Sequence, residues 1–125
     1  MSLDISLYGE EKTVQCECEC CGNKHTRKYK ECVYDANITH NLGDMAGKAG
    51  IYYHLWRPEE IGITKAGELI EPLTEGLKKL KKNPEYYKQF NSPNGWGMYE
   101  HFIPFVEGYL DACKEYPEST IIVCR

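Results

Sequence analysis

Long apolar runs are missing from this chain of 125 residues. None approaches the ~20 residues that a membrane-spanning helix needs, so no span is expected. Asp4, Glu10, Glu11 and Lys12 occupy the first dozen positions, where a secretory signal would carry an apolar core. A reducing cytoplasm is the expected setting. Glycine and proline are also scarce, 11 and 6 residues, which excludes collagen-like and linker-like sequence. Arginine is limited to Arg27, Arg57 and Arg125, and 19 acids against 15 bases leave a net charge of −4. General nucleic-acid binding, which needs a basic face to neutralise phosphates, is not expected. Catalytic signatures are lacking too: there is no Gly-rich phosphate loop, no G-x-S-x-G and no H-E-x-x-H.

Aromatic residues are plentiful. Ten Tyr, two Trp and three Phe, with an apolar fraction of 42%, supply enough surface for one core. A single domain over 1–125 is expected, with a zinc hairpin over 12–33, a helical body over 41–116 and a closing strand over 119–124. Leu3, Ile5 and Leu7 alternate with Asp4 and Ser6 as a half-buried strand does. Tyr8-Gly9-Glu10-Glu11 reads as a turn, 13–17 as a second strand, Cys21-Gly22-Asn23-Lys24 as a reversal and 27–38 as a returning strand with Tyr34, Ala36 and Ile38 on one face. Asn41 reads as the N-cap of a helix ending at Arg57-Pro58 and weakened by Gly47 and Gly50, which mark either close packing or a break near Gly50. Thr64 reads as the cap of a second helix, with Ala66, Leu69, Ile70, Leu73, Leu77 and Leu80 as its stripe and Pro72 as a kink. Met98 to Cys113 marks a third, and 120–124 a strand that pairs with the first. The predicted fold is α+β: a small antiparallel sheet of N-terminal hairpin strands plus a C-terminal strand, packed by three main helices, with a metal-binding hairpin. Lys78, Lys79, Lys81, Lys82 and Lys88 read as a solvated helix face.

Cys16, Cys18, Cys20, Cys21 and Cys32, with His25 among them, form the densest chemical cluster. Cys18-x-x-Cys21-Gly22 lets two thiolates converge on one ion while glycine turns the backbone. Zinc suits such a donor set, and a closed site of four ligands would stake down a hairpin with little core of its own. The ligands expected are Cys18, Cys21 and Cys32 with either Cys16 or His25, on the supposition that Cys16 and Cys32 lie nearly opposite each other. Redox catalysis is disfavoured because Glu17 and Glu19 oppose a thiolate. Cys113 and Cys124 read as small buried hydrophobes.

A second constellation runs through Asn37, Thr39, His40 and Asn41, where a strand end enters a helix N-terminus suited to an anion. Trp56 and Trp96, near Arg57 and Asn94, offer the faces that a nucleobase or other flat ligand needs. Trp56 also continues an apolar stripe, and such a residue is more often core than a stacking platform. His40 with Asp35 or Asp44 offers acid–base chemistry, so a small hydrolase or transferase is the alternative to a binding protein.

The stretch from Ala36 to Ala46 (ANITHNLGDMA), then Leu55-Trp56-Arg57-Pro58-Glu59-Glu60, then Asn94-Gly95-Trp96-Gly97 with Tyr99 resembles a group of small uncharacterised proteins of phages, prophages and metagenomes. The resemblance spans 33–125 and the opening residues 1–5. Cys18, Cys21 and Gly22 match the zinc-knuckle-like segment of similar proteins, from which Cys16 and Cys20 depart. It implies a mobile-element protein in a bacterial cell that engages a host protein or a small nucleotide signal, with an anti-defence or host-takeover role. The expectation is thus a zinc-stabilised binding protein for a host protein or a small anionic, nucleotide-like ligand, with a possible homo-oligomeric form.

Overall fold

Leu3, Ile5 and Leu7 are fully buried on one face of the first strand, directly across from Ile38, Ala36 and Tyr34. Each such side chain contributes about 1.5–3 kcal/mol of burial, which fixes the strand register because a one-residue slip would turn all three outward. The structure, a computed structural model, describes the backbone of residues 2–17 and 24–125 and the side chains of 2–9 and 31–125. It is an α+β fold. Strands β1 (Ser2–Glu17), β2 (Lys24–Thr39) and β3 (Thr120–Cys124) form an antiparallel sheet in the order β2-β1-β3. As the sequence predicts, the closing strand pairs with the first, Ile121 lying opposite Leu7.

Five helices are present among the described residues: α1 (Gly43–Lys48), α2 (Tyr52–Trp56), α3 (Ile70–Lys82), α4 (Pro84–Lys88) and α5 (Tyr99–Glu115). The long stripes pack as predicted. Leu69, Leu73 and Leu80 meet Phe102, Val106, Tyr109 and Leu110 in one core with the inward face of the sheet.

Four local expectations are corrected. No turn interrupts residues 8–11; β1 runs through, and the extra residues are absorbed as register shifts at Leu7/Tyr8 and Tyr8/Glu11. A bulge costs less than ending a ladder that resumes at once with Glu11 opposite Lys30. The expected helix from 41 to 56 is three pieces: a 3-10 turn over His40–Leu42, then α1, then α2. Gly50, at φ +79°, takes the left-handed conformation that closes α1 and re-aims the chain. Asn41 is therefore not the cap; Thr39 is, its Oγ1 accepting the Asn41 N–H at 3.3 Å. Finally, the second helix is entered through a 3-10 turn whose N-cap is Lys65 and not Thr64, with the Glu68 carboxylate at its third position accepting the Thr64 and Lys65 N–H groups at 2.9 and 3.1 Å. Pro72 then falls in the first turn of α3, where its missing N–H costs nothing.

Candidate functional site

The end of β2 and the loop after α4 build one cleft. Thr39 stays extended (φ −69°, ψ 144°) while its hydroxyl captures the next turn, and this swings Asn41 out toward the loop. There the Asn41 Nδ2 donates to the Trp96 carbonyl at 2.8 Å, joining positions 55 residues apart. The loop is shaped from within. Asn94 Oδ1 accepts from the Ser92 hydroxyl at 2.6 Å and from the Trp96 N–H at 3.0 Å, and the Ser92 N–H reaches the Gly97 carbonyl at 3.1 Å. Gly97 makes the close approach possible: at φ +109°, a Cβ there would stand 2.8 Å from Asn41 Cβ.

The cleft measures about 1130 Å³, and Asn37, Thr39, His40, Asn41, Asn94 and Trp96 all line it. These expected site residues, from two distant stretches of sequence, share one set of walls. Trp96 stands 71% exposed at its edge. Ser2, His101 and Phe105 also line it and were not singled out from the sequence as site residues. His101 and Phe105 lie one turn apart on α5, so only the docking of that helix brings them here. Their one sequence signal was the i, i+4 spacing that follows the Trp96 loop.

Trp56 and Arg57 do not join this cleft. Trp56 is 3% exposed and stacks on Tyr52 with ring centroids 5.4 Å apart, so it is core. Its Nε1–H donates to Nδ1 of His40 at 2.8 Å, supporting the cleft wall from behind. Arg57 pairs with Glu60 at 2.9 Å, and the Tyr52 hydroxyl followed by that carboxylate holds its guanidinium in the charged form. A second cleft of about 1200 Å³ lies on the other side of His40, walled by α1 and α2 and containing Lys48 and His54.

The metal expectation falls mostly outside the described residues, which leave out Cys18, Cys20 and Cys21 and the side chains of Cys16 and His25. Among the described residues no group of three or more His, Cys, Asp or Glu is placed to hold an ion. The ladder does revise the expected pairing. Cys16 lies opposite His25, whereas Cys32 lies near Tyr8, seven positions along β2. At ~3.3 Å per residue that is about 23 Å, so Cys16 and Cys32 do not face each other. The exposed Cys32 thiol donates to the Tyr34 carbonyl at 3.5 Å. Cys113 is buried as expected, and burial pushes its thiol up to about 12, whereas Cys124 is exposed.

The lysine cluster is a solvated face, with Lys78, Lys81 and Lys88 paired to Glu75, Glu107 and Glu85. No described helix is long and apolar enough to cross a membrane. Set against known protein families, curated proteins and solved structures, the chain finds no match in any of the three.

Proposed function

We propose that this chain is a binding module whose cleft beside Trp96 takes a small, flat, nucleotide-like ligand, and that zinc stabilises its hairpin. The observation that carries this is the convergence of Asn37, Thr39, His40 and Asn41 with Asn94 and Trp96 on one cleft. An exposed indole supplies a stacking platform, worth about 1–3 kcal/mol per base, and the amides supply hydrogen bonds around it. A role in a mobile element acting on a host, by sequestering such a ligand or by contacting a host protein, is the biological setting that fits the sequence resemblance.

Catalysis by His40 is the weaker reading. Its Nδ1 lone pair accepts the Trp56 N–H, so the neutral ring carries its proton on Nε2. Such a ring can donate a hydrogen bond to a ligand, but its free nitrogen has no lone pair with which to take a proton.

For zinc, the register supports Cys16 and His25 as partners for Cys18 and Cys21, since the first two lie opposite each other at the end of the ladder. Cys32 is the ligand this arrangement drops.

Calorimetric titration of the full chain with nucleosides and nucleotides tests the binding reading. Binding that weakens by about tenfold or more in Trp96→Ala, with an unchanged melting temperature, is expected. Absence of binding at millimolar concentration across the panel would overturn it.

A further inference from the structure

Resting on that reading of the cleft, we infer that it recognises the uncharged base and ribose of a nucleoside and leaves any phosphate in solvent. Among the described residues lining the cleft there is no Lys, Arg, Asp or Glu, and the ionisable side chains on its walls are His40 and His101. Withdrawing a phosphate from water without a cation beside it is strongly unfavourable, so a bound nucleotide keeps its phosphate outside such walls. Arg57, which the sequence suggested beside Trp56, is committed to Glu60.

An anion site at the start of a helix is not built here either. The 3-10 turn after β2 is three residues long and α1 is six. Two of the N–H groups that an anion would use are already taken: Asn41 N–H by the Thr39 hydroxyl and Gly43 N–H by the His40 carbonyl.

What the walls offer is neutral and mixed. Asn41 spends one N–H of its Nδ2 on Trp96, which leaves the second N–H to donate and Oδ1 to accept. Asn94 spends its Oδ1 on Ser92 and Trp96, which leaves Nδ2 to donate. His40 spends Nδ1 on Trp56, which leaves the Nε2–H. These groups, with the amide of Asn37, the hydroxyls of Ser2 and Thr39 and the imidazole of His101 on the same walls, put both donors and acceptors beside an exposed indole. Alternating donors and acceptors on a flat frame are the signature of a nucleobase edge, and Asn amides read such edges.

The test compares adenosine, guanosine, cytidine and uridine with their 5′-monophosphates and 5′-triphosphates on the full chain. For the base that binds, nucleoside and nucleotides should agree within about threefold, and affinity should hardly change between low and high salt, because no phosphate contact releases counterions. Trp96→Ala and Trp96→Phe should order the loss, the alanine losing about tenfold or more and the phenylalanine less, equally for charged and uncharged ligands. Nucleotides binding about tenfold tighter than the nucleoside, or affinity falling steeply with salt, would overturn this inference while leaving a nucleotide site in place. Binding by none of the panel would instead remove the parent reading.

Discussion

The indole N–H of Trp56 donates to Nδ1 of His40 at 2.8 Å, so a buried core residue sets the tautomer of a residue on the cleft wall. Trp56→Phe should cost about 2 kcal/mol in urea unfolding, from a lost hydrogen bond and the space left by the larger ring. It should also release His40 from a single tautomer, visible as a change in its ¹⁵N ring shifts. An unaltered ¹⁵N pattern would show that the contact does not fix the ring.

Gly97 and Asn41 hold the loop against the strand end. Gly97→Ala places a Cβ 2.8 Å from Asn41 Cβ at a positive φ, and should destabilise by about 2–3 kcal/mol. Asn41→Ala should cost about 1 kcal/mol and raise amide exchange in residues 92–97 ahead of global unfolding. Because both act on one contact, the double variant should lose less than the sum. Strict additivity would mean that the two residues act separately.

Tyr109 is fully buried, and its hydroxyl has no hydrogen-bond partner among the described residues. Burial holds its ionisation far above the ordinary phenol range. Tyr109→Phe should therefore stabilise the protein by about 1 kcal/mol, raising Tm by about 4 °C. A loss of stability of similar size would reveal a buried water bonded to the hydroxyl.

His54 titrates below its ordinary value near 6.5 because burial disfavours the imidazolium, the Gly50 backbone offsetting part of the effect. The unfolded chain then binds more protons than the folded one between that lowered value and 6.5. Stability is fully present above 6.5 and declines as pH falls through the window. Chemical unfolding at pH 7.5 and 5.5 should show the drop, and His54→Gln should shrink it. An equal drop in the variant would assign the effect elsewhere.

Zinc content provides the fifth prediction. Cys16→Ser and His25→Ala should each lower bound zinc and the melting temperature, whereas Cys32→Ser, whose residue lies about 23 Å along the strand from His25, should change neither. Loss of zinc in Cys32→Ser would contradict the register as the guide to the ligand set.

The sheet was legible because its signals are local and strictly periodic. Leu3, Ile5 and Leu7, together with Tyr34, Ala36 and Ile38, carry the period of two that puts them on one face. The α3 and α5 stripes were legible for the same reason. The cleft was legible in part: Asn37, Thr39, His40, Asn41, Asn94 and Trp96 were named from polarity and punctuation, while Ser2, His101 and Phe105 were not. Trp56 and Trp96 show why. Both sit in Gly/Pro-marked segments, yet one is core and the other stands exposed. The apolar stripe leading into Trp56 is the one local signal that separates them.

The sequence by itself determined which residues alternate, which recur at helical spacing and that α3, α5 and the closing strand form, since these follow from local backbone geometry and burial of one face. Tertiary structure decided that Tyr8 to Glu11 is a bulge, that Cys32 is out of register with Cys16, and that Asn41 meets Trp96. Each of these depends on a partner far away in sequence, whose position exists only once the core has packed.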